Sequence, residues 1–531
     1  MGPTLSRRPL QLGRLGGVLL AAVVAVALFG RFASDSFGAD RPIRILTGAA
    51  ATLDPARAGD ASSAGVIAQV FESLTAFDAT LTVRPALARS WDVEDGGRRI
   101  VFHLRDGLTF SDGTELGGED VVRSWLRLLD PGQPSPLVSL MFDVDGALDF
   151  VRGRSDDPAS VGLEADGLDV TVRLTRPAAD FVNVVAGPSF AIVPPGIDAG
   201  PAALTPGSSF VASGGYTISA ATPGSTSLRS NARYWAGTPP TTEIELLHDL
   251  GGRSGVQAYE AGDIDYAPIG DFDASWIAYD QALGPDLREV PSLSVQYYGF
   301  DTTRAPFDDV RVRQAFGAAV NWRRIVELGS TGSEVSATSM VPAGIPGRSE
   351  ADFLPAHDPD TARNLLAEAG FPDGAGFPTV QMLTGGGQYD EAIVTELERE
   401  LGVAIVYETM DFGTYFDRLE TDPPQLWSLS WVADYPGPND FLGVLLGSEA
   451  SNNYGGYTST EFDAAIRDAG AATDEATARA AYDRAEQVVQ RDVPVVPISY
   501  GTGWALSRAG LLGAEQNGLG SIRMAGLTWA D

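Results

Sequence analysis

Not one cysteine occurs in the chain. No disulfide can therefore staple a small unit, and each unit must be held by its own apolar burial. At 531 residues the chain is several times a typical domain of about 100–150 residues, so two or three units with separate cores are predicted. The same absence removes a thiolate nucleophile, a cysteine zinc site and a cysteine for lipid attachment. With 44% hydrophobic and 20% charged residues, the composition is that of a folded protein rather than a disordered one.

The 37 basic and 70 acidic residues leave a formal net charge of −33, which repels a phosphate backbone and argues against nucleic acid as a partner. Every basic residue is an arginine. That excludes a Schiff-base lysine and a P-loop lysine, and reads as coding bias of a GC-rich genome. The three histidines, His103, His248 and His357, fall in no metal-ligand spacing such as HExxH. In "RRIVFHLRDG", His103 takes the strand face opposite Ile100, Phe102 and Leu104, a surface position. No cofactor and no metal is expected.

The N-terminus carries Arg7, Arg8 and Arg14, then an apolar run from Leu15 to Phe29, then small polar residues. This is the layout of an export signal, and places the rest outside the cytoplasm. The run is short for a spanning helix of about 20 residues, although Leu10 to Phe32 could reach that length. No A-x-A site follows, so an uncleaved anchor is the alternative for residues 1–40. Ser6-Arg7-Arg8 hints at twin-arginine export, against which Pro9 and Gln11 count. The expected location is the periplasm or the outer face of the cytoplasmic membrane, without lipidation.

Beyond residue 40, strand and helix patterns alternate without a repeat. "WDVEDGGRRIVFHL" predicts two strands about a turn at Asp95-Gly96-Gly97, and "LDVTVRL" a half-buried strand. "PFDDVRVRQAFGAAVNWRRIVEL" reads as one helix capped by Asp308, with Val312, Ala315, Phe316, Ala319 and Val326 on its apolar face. "VQAYEAGDIDYAPI" and "ARNLLAEAGFPDG" are helices ended by Gly262 and Gly370.

Read in order, "FHLRDGLTFSDGTELGGEDVVRSW", "SGGYTIS", "LRSNARYWAGTPP", "YEAGDIDYA", "YYGFDTTRAPFDDVRVRQAFGAAVNWRRIV", "ARNLLAEAGFPDG", "WVADYPGPNDFL", "NYGGYTSTEFDAAI" and "RDVPVVPISY" resemble the extracytoplasmic solute-binding proteins of ABC importers, in the oligopeptide, dipeptide and nickel class. The resemblance implies an α/β, two-lobed periplasmic-binding-protein-like fold of the hinge-closing type II, with an additional subdomain inserted in lobe I. Carried onto this chain, lobe I comprises 41–70, 200–296 and 496–531, the inserted subdomain 71–199, and lobe II 297–495. The strands crossing between lobes fall near Gln296–Phe300 and Pro494–Tyr500.

The resemblance also implies a function, the capture of di- or oligopeptides in the cleft for delivery to permease subunits served by a cytoplasmic ATPase. A monomer is expected, with membrane association possible through the N-terminal segment. Ser430, Val432 and Asp434 alternate along an extended segment and share one side, so the backbone between them can pair with a peptide as an added strand. In peptide-binding members the aspartate matching Asp434 holds the ligand α-amino group. Trp431 and Tyr435 flank it, and Ser62 is a candidate from lobe I in the loop 58–65. Asn439 and Asp440 are read as caps of the following turn and helix. The family's Gly-Pro-Tyr element is Gly214-Gly215-Tyr216 here. The alternatives are the same fold with a metal chelate, sugar or other small polar solute, and a secreted hydrolase. No nucleophile elbow, zinc motif or triad supports the hydrolase.

Overall fold

Strands distant in sequence pair in three principal sheets. The structure, a computed structural model, describes residues 41–530 except 179, 200–203, 205, 208–209, 291, 331–333 and 473. The signal or anchor expected over 1–40 lies outside the described residues. Among these, no helix is long and apolar enough to cross a membrane.

A seven-stranded sheet runs in the order Leu287–Val290, Gly503–Ser507, Tyr266–Ile269, Ile43–Leu46, Glu243–Leu247, Ser225–Ser230 and Tyr216–Ala221. Its central strand Ile43–Leu46 is parallel to both neighbours, with Ile43 and Ile45 fully buried. Parallel neighbours need a crossover. Helix Gly255–Glu260 provides one, ending before Gly262 (φ 76°) turns the chain into strand Tyr266–Ile269. A six-stranded sheet has the order Val335–Ser336, Val495–Tyr500, Ser294–Phe300, Leu426–Val432, Val380–Thr384 and Ile405–Thr409. A four-stranded antiparallel sheet joins Ala88–Glu94, Arg99–Leu104, Asp169–Arg173 and Leu163–Asp166. Its first hairpin turns at Asp95, Gly96 and Gly97, all at positive φ. His103 on its outer face binds Asp169 (2.7 Å) and Asp92 (3.0 Å), and these bonds raise its pKa.

The two larger sheets are joined edge on by adjacent chain segments. Strand Leu287–Val290 pairs with Gly503–Ser507 in one sheet, while Ser294–Phe300 pairs with Val495–Tyr500 in the other. The fold is thus α/β and two-lobed, with the four-stranded sheet as the additional subdomain.

One helix departs from expectation. The segment after Pro306 forms two helices, Val310–Ala319 and Trp322–Gly329. Asp309, not Asp308, caps the first by accepting the Arg311 N–H. Val320 is extended (φ −96°, ψ 136°), and Asn321 starts a second cap by accepting the Arg324 N–H. A side chain that offers a nearby N–H an acceptor competes with helix continuation.

Gly299, paired with Trp427, has no room for a side chain, because a Cβ there would lie 2.1–2.5 Å from atoms of the Trp427 ring. Gly299→Ala should destabilise the protein by about 1–3 kcal/mol, seen as a lower urea midpoint. Gly526→Ala, where a Cβ meets nothing within 4 Å, should leave the midpoint nearly unchanged.

Candidate functional site

Strand Leu426–Val432 is apolar on both faces at its start, and Leu426, Trp427 and Leu429 are buried. It pairs with Ser294–Phe300 along its whole length, from Leu426↔Phe300 to Val432↔Ser294. On its other edge Val380–Thr384 reaches only Leu426 and Trp427. The Ala433 N–H donates to Leu293 O at 2.9 Å, on the paired side. By alternation, the backbone groups of Ser430 and Val432 face the side with no neighbouring strand.

A cavity of about 370 Å³ lies along this edge. Its other walls are helix Ala61–Val70 with the loop before it, residues 186–189, and the C-terminal segment 517–525. Ser430, Trp431, Val432 and Asp434 all line it. Ser430 is exposed, while Trp431, Ala433 and Tyr435 pack in the core. Two expected residues are not on the cavity wall. Tyr435 turns inward, where its hydroxyl lies 3.5 Å from Asp180 Oδ2 and accepts from Asn439 Nδ2 at 3.1 Å. Ser62 sits in a helix rather than a loop. The helical turn aims Ala61, Ala64, Gly65 and Ala68 at the cavity and carries Ser62 round to Gly48, where a Cβ would fall 2.2 Å from its Oγ.

Asp434 is the chemically unusual group of this wall. Its Oδ2 is buried without a hydrogen-bond partner among the described residues, and its backbone N–H donates to Asp440 Oδ2 at 2.9 Å. Trp431 Nε1 donates to the same Asp440 oxygen at 3.2 Å. Asp440 lies inside the short helix Pro438–Phe441, whose N-cap position is Gly437, with no side-chain cap. Neither Asp440 nor Asn439 is therefore the expected cap: both reach back, one to the Asp434 turn and the other to Tyr435. Burial raises the Asp434 carboxyl to about 7. Burial first, and then the neighbouring Asp434 charge, push Asp440 well above the carboxylate range. A buried carboxylate without a counter-charge prefers a proton, and a cationic group entering the cavity would reverse that preference.

Opposite stands a group that sequence reasoning missed. Gln69, nearly fully buried, donates to Ile522 O (3.0 Å) and accepts the Met524 N–H (3.0 Å), clamping the backbone on both sides of Arg523. Arg523 Nη2 donates to Glu72 Oε1 and to the Tyr234 hydroxyl, both at 2.9 Å, and Tyr234 donates to Glu72 Oε2 at 2.7 Å. All four side chains line the cavity. Glu72 and Arg523 are 451 positions apart, and no local pattern connects them. Among the described residues, no cluster of His, Cys, Asp and Glu could hold a metal ion.

The profile of bacterial extracellular solute-binding proteins, family 5 Middle, matches residues 82–453. The chain is 30% identical over 466 residues to the probable deoxycholate-binding periplasmic protein YgiS of Escherichia coli K12, covering 85% of this chain and 86% of that one. It is 27% identical over 468 residues to the periplasmic oligopeptide-binding protein OppA of Salmonella typhimurium, with 85% of each covered. The structure of the Escherichia coli murein tripeptide binding protein MppA superposes with a TM-score of 0.84 at 24% identity, covering 92% of this chain and 98% of that chain. Against the unliganded open form of MppA the TM-score is 0.67.

A carboxyl whose folded pKa is raised holds a proton that the unfolded chain releases near pH 4, so it makes stability fall as pH rises from about 4 towards 7. Asp434, Asp440 and Glu486, which burial also raises to about 7, all act in this direction. Asp434→Asn should therefore reduce, without abolishing, the loss of urea midpoint between pH 4.5 and 7.5. An unchanged slope would mean that Asp434 does not titrate in that window.

Proposed function

The chain belongs to the bacterial extracellular solute-binding proteins of family 5, and from that premise we propose that it captures short peptides by their free amino terminus for an ABC importer. The carrying observation is the buried Oδ2 of Asp434, without a hydrogen-bond partner among the described residues, beside an open strand edge. An ammonium group supplies the counter-charge that Asp434 lacks, in a charge-assisted bond of about 1.5–3 kcal/mol. The free edge at Ser430 and Val432 can pair with ligand main chain, which every peptide shares. Relatives named as oligopeptide-binding support this reading. Closure of the lobes and docking on permease subunits complete the cycle, and no chemical step is required of the protein.

The proposed location is extracytoplasmic, in line with relatives named periplasmic, and the proposed state is a monomer. We take 41–70, 200–296 and 496–531 as lobe I, 71–199 as the inserted subdomain and 297–495 as lobe II. A second reading, an amphipathic acid, draws on the deoxycholate-binding relative and on Phe71, Phe77, Phe416 and Leu519 in the cavity wall. Such a ligand would leave Asp434 without a cation.

Calorimetric titration of the purified protein with trialanine and its N-acetyl form separates the readings. Trialanine should bind and the acetylated form should lose about 10- to 100-fold in affinity, with Asp434→Asn losing a similar factor for trialanine. Because binding requires the ionised carboxylate, affinity should rise with pH through about 7, where Asp434 titrates. It should fall again above about 8 as the ligand amine loses its proton. Deoxycholate binding with no response to any peptide would replace the peptide reading with the second one.

A further inference from the structure

We propose that Arg176 is a positioning residue for ligand capture: it reaches from the subdomain of the four-stranded sheet onto the end of helix Thr460–Gly470, in the lobe of the six-stranded sheet, and holds the cleft closed. This rests on the receptor reading above and deepens it, since a residue that never touches the ligand then sets how tightly the ligand is held.

The observation is a guanidinium seated in a socket that has no side chain of its own. Arg176 follows strand Asp169–Arg173. Its Nε and Nη2 donate to the two carboxylate oxygens of Asp143, each at 2.6 Å. Asp143 belongs to the same subdomain, so this fork aims the remaining corner, Nη1, away from it. Nη1 is buried, with no hydrogen-bond partner among the described residues. Gly470 lies directly against it. A Cβ there would run into Nη1 and Cζ and come within 2.8 Å of Nη2. Gly470 is the last residue of an 11-residue helix, whose final carbonyls lack intrahelical partners and form the negative end of its dipole. A cation is favoured at that end, and only glycine leaves it room.

Two tyrosines of the same lobe face this cluster. The Tyr435 hydroxyl is 3.5 Å from Asp180 Oδ2. Tyr482, on helix Glu475–Asp492, stands near enough to Asp180, Arg176 and Asp143 for their charges to bear on its titration. Because Tyr435 adjoins Asp434, the cluster abuts the turn that carries the proposed amine anchor. Chain connectivity does not enforce these contacts. Both ends of the subdomain lead to the seven-stranded sheet, from Ile43–Leu46 before it and to Tyr216–Ala221 after it, so separation of the lobes would draw Arg176 off the helix end. The other ion pair across this division, Arg152 with Glu449, is 37% and 59% exposed and contributes little. Arg176 is only 22% exposed. Apparent affinity scales with the fraction of protein in the binding-competent form, so a contact that raises the closed fraction tightens any ligand the cleft accepts.

Gly470→Ala is the decisive substitution. Gly470 is not at positive φ, so alanine suits the helix at least as well as glycine, and the urea midpoint of the empty protein should not fall. Affinity for trialanine, titrated calorimetrically, should fall at least about fivefold. The loss should lie in the dissociation rate, because the open form that meets the ligand is unchanged. Stopped-flow tryptophan emission reads that rate, with Trp431 on the cavity wall. The background Asp143→Asn with Arg176→Ala removes the guanidinium without stranding its carboxylate partner. It should bind more weakly than wild type, and Gly470→Ala added to it should cost nothing further. Should the midpoint of Gly470→Ala fall, this comparison of backgrounds still decides. Unchanged affinity in Gly470→Ala or in the background variant, or an equal loss from Gly470→Ala in both backgrounds, would overturn the latch while leaving the peptide reading intact. If deoxycholate binds and trialanine does not, the peptide reading fails and the same variants titrated with deoxycholate decide the latch. Binding of neither would remove the receptor reading, and the latch with it.

Discussion

Two strands lying side by side, Ser294–Phe300 and Val495–Tyr500, hold the molecule together, because the same chain segments also supply neighbouring strands of the other large sheet. Only 291–293 and 501–502 separate the members of each pair. Paired main chain resists shear, while residues 501–502, where the chain passes from one sheet to the other, can absorb φ/ψ change, as at a hinge. The register shift between Gln296 and Tyr297 loosens the ladder near that break. Everything at the cavity inherits its position from this ribbon. Leu426–Val432 is the next strand over from Ser294–Phe300, and the C-terminal segment that carries Arg523 leaves from Gly503–Ser507.

Two charged groups of the cavity wall differ in their surroundings. Among the described residues Asp434 Oδ2 has no hydrogen-bond partner, and burial disfavours its ionised form. Arg523 is paired with Glu72 and Tyr234. Segments distant in sequence also meet away from the cavity: Ser451 Oγ and Asn452 Nδ2 both donate to Pro136 O.

Local pattern made much of the fold legible. Alternation placed Val170 and Val172 inside a strand, and Gly262 and Gly370 marked helix ends at positive φ. The failures share a cause. Asp308 and Asp309 are adjacent, and pattern does not say which faces the first N–H groups. Asn321 interrupts a helix whose apolar spacing continues through it. Ser62 was placed in a loop, yet once in a helix its direction follows from 3.6 residues per turn. Tyr435 follows Asp434 in sequence and, by alternation, points the opposite way. Alternation puts Asp434 on the side of Ser430 and Val432, but its expected role as amine anchor comes from resemblance and not from spacing. The clamp of Gln69 on Ile522 and Met524, and the contact of Glu72 with Arg523, join the two ends of the chain. They exist only once segments some 450 positions apart have come together.

Helix Ala61–Val70 presents Ala61, Ala64, Gly65 and Ala68 to the cavity, and a methyl placed on Gly65 would meet nothing within 4 Å. Gln69 apart, its cavity face is bounded by side chains of one carbon or none. Added bulk there would shorten the space without moving a hydrogen bond or a strand. Single substitutions on this face would reshape the cavity while the strand pairing of both large sheets stays as it is, so the length of the space can change without redesign of the fold.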